Sequence, residues 1–333
     1  MSFDTATRRV IIQLPALTMP SGGGIVSALL PKTGLLARLW NDEVGTVGGT
    51  VGTVHALGFA GVNRRIRLTA NSGIDLWSLS GGAYHYMARY FHNDYNDPCA
   101  HTNGTSVITA IGFDISHVIE MQLNQKDPIG LIMLQNEQTA LTLTAEFETT
   151  ANVTSTGTLT ATSIVPYMEF FNVPQDPANW PPLNIIHSHI EDQQVNASAS
   201  GDYVYPWPRG NTYVGMYHGY GFAATGGADS FTRFRVRVNQ SVYLYDVTAT
   251  APTGSLTDRG FLAMEWRMNH PYARPLGVIA IDLLGSTGNG AMPLIGKPRD
   301  FINSASLTDL ATVITVSAAK TLYTVRRQLV SLG

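Results

Sequence analysis

Thr139-Ala140-Leu141-Thr142-Leu143-Thr144-Ala145-Glu146-Phe147-Glu148 is the stretch that decides the fold class. Leu141, Leu143, Ala145 and Phe147 fall on one side of an extended chain; Thr142, Thr144, Glu146 and Glu148 fall on the other. A period of two with one apolar side is the pattern of a half-buried β-strand. Thr158–Thr162 repeats it, with Leu159 and Ala161 between threonines. Further strands are predicted at Arg65–Ala70, Val107–Ile111, Gly130–Leu134, Arg233–Val238, Val242–Val247, Leu262–Met268, Gly277–Leu283, Val313–Val316 and Leu322–Val325. Val, Ile, Thr and Tyr fill them, as β-propensity requires. The 32 Gly and 17 Pro cut the chain into short strands with many turns, the punctuation of sandwiches and barrels. Helices are few. Ala83, Tyr86, Met87, Tyr90 and Phe91 recur at helical spacing between Ser80 and His92, with Ser80 placed to cap. Pro298 precedes a second candidate, Arg299–Leu310.

The composition narrows the class. Of 333 residues, 44% are hydrophobic and the net charge is −3, which excludes a disordered chain. Charged residues are 14% of the chain, against about 25% in an average soluble protein. Either the surface is unusually neutral or much of it is covered. No stretch reaches the ~18 apolar residues of a membrane-spanning helix. After Arg8-Arg9 only Val10-Ile11-Ile12 is apolar, so no secretory leader is expected. A single cysteine, Cys99, excludes an internal disulfide framework.

Pro166, Pro174, Pro177, Pro181 and Pro182 cluster in mid-chain and disfavour ladders and helices alike. They place a linker at 171–185 between domains 1–170 and 186–333. The halves repeat each other weakly. Gly58-Phe59-Ala60 and Arg64-Arg65-Ile66-Arg67-Leu68 in the first answer to Gly221-Phe222-Ala223 and Arg233–Val238 in the second. Pro128–Leu134 answers to Pro275–Ile281. A repeat this long is a duplicated domain, since solenoid periods are roughly 20–50 residues. Each half is long enough for one jelly roll.

On these motifs the chain resembles the double jelly-roll major capsid proteins of icosahedral, tailless bacteriophages with an internal membrane. Ile66–Gly73 with Leu76 and Leu79-Ser80-Gly81 resembles the family's first-barrel strand and short helix. Pro128–Ile132 followed by Thr139–Phe147 resembles its strand pair across a tight loop. Leu183–Val195, Gly201 and Pro208-Arg209-Gly210 resemble the opening of its second barrel, and Leu307–Val325 its closing strands. Large tower insertions, which such families often carry, are missing. The resemblance implies an all-β fold of two jelly-roll barrels in tandem with a few short helices. It also implies a structural, non-enzymatic protein that forms pseudo-hexagonal homotrimers tiling a virion shell. The subunit would be made in the host cytoplasm. Partners would be further copies, minor capsid and vertex proteins, and internal membrane lipid, without sequence-specific nucleic-acid binding. No catalytic residue, cofactor or metal is expected.

Four groups of residues carry alternatives. His187, His189 and Glu191 share one face of a strand and present the donors of a metal site, as in a bicupin enzyme. The spacing departs from the cupin pattern, which sets the Glu further on, and favours polar residues on an edge strand. Arg233, Arg235 and Arg237 line one side of a strand. Arg rows bind phosphates, but an overall charge of −3 favours pairing with carboxylates of neighbouring strands or subunits. Only four of the 21 basic residues are Lys, and interfaces favour Arg over Lys. Arg8, Arg9, Arg326 and Arg327 mark chain ends that could face anionic lipid, at ~1 kcal/mol per residue. His85, His92, Cys99 and His101 lack zinc-ligand spacing. A fibre or carbohydrate-binding sandwich, presenting Trp180 or Trp207, is a third reading.

Overall fold

The computed structural model describes residues 3–51, 58–71, 73–91, 108–123, 128–154, 157–193, 200–219, 231–247, 278–283, 301–319 and 322–331. The chain divides into two compact units. Unit 1 is Met1–His85, Tyr95–Ile190 and Leu329–Gly333; unit 2 is Tyr86–Asp94 and Glu191–Gln328. No described helix is long and apolar enough to cross a membrane.

Unit 1 holds α1 (Phe3–Ala6), β1 (Arg9–Gln13), β2 (Leu17–Thr18), β3 (Gly24–Leu29), β4 (Leu35–Val51), β5 (Asn63–Ala70) and β6 (Ile74–Leu79). After α2 (Gly81–Phe91) come β7 (Ile108–Glu120), β8 (Ile132–Met133), β9 (Leu141–Phe147), α3 (Thr150–Val153), β10 (Thr158–Phe171) and β11 (Ile185–Gln193). One sheet runs β1-β10-β4-β7, with β2 on β10 and β8 on β4; the other runs β3-β9-β5-β6. Strands that follow each other in the chain therefore fall mostly in opposite sheets; the exceptions are β1–β2, β7–β8 and the β5–β6 hairpin. That interleaving is a jelly roll. The reading of β9 holds residue by residue: Leu141, Leu143, Ala145 and Phe147 are buried, while Thr142, Thr144 and Glu146 are half-buried.

Unit 2 continues with β12 (Gly201–Pro206), β13 (Thr212–Gly219), β14 (Phe231–Val238), β15 (Val242–Val247), β16 (Val278–Asp282), β17 (Ile302–Asn303), β18 (Leu310–Val316) and β19 (Tyr323–Ser331). One sheet is β12-β18-β14-β15; in the other, β16-β13-β19 is followed by β11, with β17 on β13. Strand for strand this repeats unit 1. The sheet β3-β9-β5-β6 corresponds to β12-β18-β14-β15, and β10-β4-β7 with β8 corresponds to β19-β13-β16 with β17. Tyr213, Met216, Phe231, Phe234 and Ile314 fill the core between its sheets. Each unit is a two-sheet sandwich, and no closed barrel is formed among the described residues.

The duplication reaches individual turns. Asn71 after β5 and Asn239 after β14 both have positive φ, 50° and 49°. The Asn71 side-chain oxygen accepts the Ala140 N–H, and that of Asn239 accepts the Thr308 N–H, each just before the next strand of the sheet. Asn tolerates the left-handed conformation because its short side chain bonds locally.

Several expectations are corrected. Pro128–Leu134 does not match Pro275–Ile281: Val278–Asp282 forms β16, the counterpart of β7, and the counterpart of β8 is β17. Nor do β8 and β9 form a strand pair, since they lie in different sheets. Pro166 belongs to β10. Its carbonyl accepts from Leu14 N, so its donor-less nitrogen faces the break between β1 and β2 and no ladder bond is lost. The helix at Arg299–Leu310 is not formed in its described part. Asn303 accepts the Ala305 N–H, a local turn that competes with a helix, and Ser304 donates to the distant Asn211 carbonyl. The α2 helix is present, and Ser80 Oγ accepts the Ala83 N–H at 3.2 Å. Leu262–Met268 and Gly221-Phe222-Ala223 lie outside the described residues.

Asn71→Ala and Asn239→Ala should each lower stability by about 1–2 kcal/mol, and Asn→Gly by less, because glycine keeps the positive φ. Urea midpoints check this; equal losses for Ala and Gly would assign the whole effect to the side-chain hydrogen bond.

Candidate functional site

The arginine row lies on β14, between β18 and β15. Phe234, Val236 and Val238 face the core, which turns Arg233, Arg235 and Arg237 outward. Each meets an acid from a different element. Arg233 Nε and Nη2 grip Asp246 of β15, both at 2.7 Å. Arg235 pairs with Asp202 of β12. Arg237 Nε lies 3.0 Å from Asp309, just before β18. The Thr315 hydroxyl, then Arg235, holds the Asp202 carboxyl below the usual range. Three cations meet three anions, so a phosphate backbone would have to break three ion pairs to use the row. In unit 1 the counterpart is smaller: Arg65 donates to Ser78 at 3.2 Å and Arg67 meets Glu146 at 3.0 Å.

The chain ends separate into two kinds. Arg326 and Arg327 are 9% and 2% exposed. Arg326 Nε contacts Asp192 Oδ2 at 2.5 Å, and Arg327 lies 3.9 Å from Asp282. They tie β19 to β11 and β16 within unit 2, so they are corrected from surface cations to interior ones. Arg8 and Arg9 are exposed; Arg9 Nε also meets the buried Glu169 at 3.0 Å.

His187, His189 and Glu191 lie on β11 as expected, but they are buried rather than at a polar surface. The two imidazoles are 4.5 Å apart, and His189 packs at 4.4 Å on the Trp77 ring. Among the described residues no group of three or more His, Cys, Asp or Glu is arranged to hold a metal. His85 is buried in α2; His92, Cys99 and His101 lie outside the described residues. Trp207 is buried and donates to Thr312 Oγ1 at 2.6 Å, which removes it as a glycan platform. Trp180 is 40% exposed.

A buried polar cluster in unit 1 escaped the sequence reading. Glu43 of β4, Asn63 of β5 and His117 of β7 converge between the sheets, all nearly inaccessible. His117 Nε2 lies 2.7 Å from Glu43 Oε2, and the Asn63 amide donates to the same oxygen. Tyr84 of α2 packs on the His117 ring at 4.6 Å and accepts the Val118 N–H; burial pushes its phenol well above the ordinary value. The pair is enclosed between the sheets and links β4 to β7. The pair orients strands. Unit 2 has a neutral counterpart: His218 of β13 shares a 2.8 Å hydrogen bond with Thr324, and burial pushes its pKa down to about 3.

No protein-family model and no curated protein matches the sequence. Solved structures match it in fold. The major capsid protein of Sulfolobus Turreted Icosahedral Virus is 11% identical, over 97% of this chain and 97% of that one, at a TM-score of 0.69. PBCV-1 VP54 is 12% identical, over 97% and 94%, at 0.61. The major capsid protein P2 of bacteriophage PM2 is 9% identical, over 98% and 98%, at 0.56. The chain thus has the double jelly-roll fold of these viral proteins from end to end.

Replacing Arg327 by Ala removes a buried cation facing the buried Asp282 carboxylate and should cost about 3 kcal/mol; chemical denaturation should find Arg8→Ala nearly silent by comparison. The His218 ring stays neutral in the fold, whereas the unfolded chain takes up a proton below its ordinary value of 6.5. Stability should therefore fall as pH drops from 6.5 towards 3. His218→Gln should shrink that fall in pH-dependent urea melts.

Proposed function

We propose that this chain is the major capsid protein of an icosahedral virus, a structural subunit rather than an enzyme. The observation that carries the reading is the end-to-end likeness to viral major capsid proteins, with both jelly rolls present and nothing large added. In this reading residues 1–170 and 186–333 form the two jelly-roll domains. Three copies set six similar flanks into a pseudo-hexagonal block, and blocks tile the shell of a bacteriophage-like virion. Minor capsid and vertex proteins are the further partners. The surface supports an assembled working state: charged residues are scarce, and Ile25, Leu29, Ile74, Val204, Val242 and Leu244 are each at least half exposed. The three Arg–Asp pairs of β14 form a neutral rim that a neighbouring copy can meet without desolvating bare charge.

Light scattering of the purified chain should give the mass of a homotrimer, and elemental analysis should find no stoichiometric metal. A metal-loaded monomer would overturn the reading in favour of a bicupin.

For internal membrane lipid, Arg8 and Arg9 are the remaining candidates, since Arg326 and Arg327 are interior. Trimers carrying Arg8→Ser and Arg9→Ser should float less with anionic vesicles than the parent; equal flotation rejects lipid contact at this end.

A further inference from the structure

The end strands of the duplicated sheets differ in one respect. In unit 1, β6 ends the row β3-β9-β5-β6, and it is covered. The middle of β11 lies against it in parallel, His189 opposite Trp77 and Ile190 opposite Ser78. The strand corresponding to β6 in unit 2 is β15, which follows the same kind of asparagine turn. Among the described residues β15 has one ladder neighbour, β14. Its Val242, Tyr243 and Leu244 are 54%, 43% and 51% exposed in succession, so both faces of its first half are open.

The strand corresponding to β11 is β1. In its sheet β11 lies beside β19, as β1 lies beside β10. The outer edge of β1 is likewise open among the described residues, and Val10 and Ile11 are 38% and 49% exposed. Exposed edges are normally blunted by charge, proline or a bulge. β15 departs from regular pairing with β14 between Tyr243 and Tyr245, but neither β15 nor β1 has the proline that ends β12 or a charge outside an ion pair. The run Val242-Tyr243-Leu244-Tyr245 has no charge, and the Asp246 that follows is engaged by Arg233. Val10-Ile11-Ile12 has none either, and the preceding Arg9 is engaged by Glu169. Among the described residues, two uncharged rows of strong β-formers thus stand open, in the strand roles that pair in parallel at β6 and β11.

We propose that β1 of one copy adds in parallel to the β15 edge of a second copy, repeating between molecules the β6–β11 pairing. The proposal rests on the self-assembly reading and names its junction. Backbone hydrogen bonds supply the pairing, and the exposed Val, Ile, Leu and Tyr side chains are covered by it. Each copy carries one β15 edge and one β1 edge, so the contact is head-to-tail, and the trimer of the self-assembly reading closes it into a ring.

The test uses the full chain with one lysine on either edge, Leu244→Lys or Ile11→Lys. Both positions are exposed, so each variant should keep the parent's circular dichroism and melting profile. Light scattering should give monomer mass for each variant alone, at concentrations where the parent is trimeric. Mixed one to one, they retain one intact β1–β15 junction and should form dimers. Ile25→Lys on β3, outside the junction, should stay trimeric. If both edge variants remain trimers like the parent, the strand pairing is overturned while self-assembly stands. A parent chain that is monomeric throughout overturns self-assembly and the pairing with it. Should a lysine variant misfold, paired cysteines decide instead. In a Cys99→Ser background, Val10, Ile11 or Ile12→Cys is combined with Tyr243 or Leu244→Cys. Oxidation should yield covalent oligomers on a non-reducing gel; monomer for every pair overturns the proposal.

Discussion

The ladder between β4 and β10 is the constraint from which unit 1 is built. It runs from Leu35 opposite Phe171 to Gly48 opposite Thr158, joining segments separated by most of the unit. β10 carries β1 and β2 on its other side, and β4 carries β7 and β8. The register of these two strands therefore decides which residues face the second sheet. A slip of one position would turn Leu39, Asn41 and Glu43 outward and Trp40 and Asp42 inward. The only interruptions are the irregularities at Thr160/Ser163 and Glu169/Phe170. Because the pairing is so non-local, chain-closure entropy opposes it until many contacts form together.

Polar groups in the core reinforce that register. Glu43, Asn63 and His117 come from β4, β5 and β7, so their shared hydrogen bonds exist only when strands of both sheets are correctly aligned. A buried acid without those partners would cost several kcal/mol. Unit 2 uses uncharged groups: His218 with Thr324 within one sheet, and Thr312, which accepts from Trp207 and reaches Met216 Sδ of the facing sheet at 3.2 Å. Duplication kept the strand plan and the Asn71 and Asn239 turns, while the interior polar contacts diverged.

What could be read in advance, and what could not, follows from periodicity. β9 and β14 separate an apolar side from a polar side, and β15 is a run of strong β-formers, so their spans were legible. β4 was not, although it is the longest strand of unit 1. Its inward side includes Asn41, Glu43 and Gly45, and its outward side includes Trp40 and Val44, so no alternation survives. Gly45 marks a close approach: a Cβ there would stand 2.4 Å from the Phe113 ring. Pro166 reads as a strand breaker because the gap that its missing N–H faces is invisible without the neighbouring strand. His187, His189, Arg326 and Arg327 read as surface chemistry because charge and polarity suggest water. They are interior because aromatic rings, Asp192 and Asp282 reach them from other strands.

The sequence by itself determined that this is a weakly duplicated, β-rich chain that is poor in charge. Those properties are local or additive: side-chain period, composition and the order of turns. Only the tertiary structure decided which strands pair, which acids neutralise the Arg233–Arg237 row, and which polar residues are buried. Each of those depends on partners distant in the chain, and no spacing along one strand encodes the identity of the strand beside it.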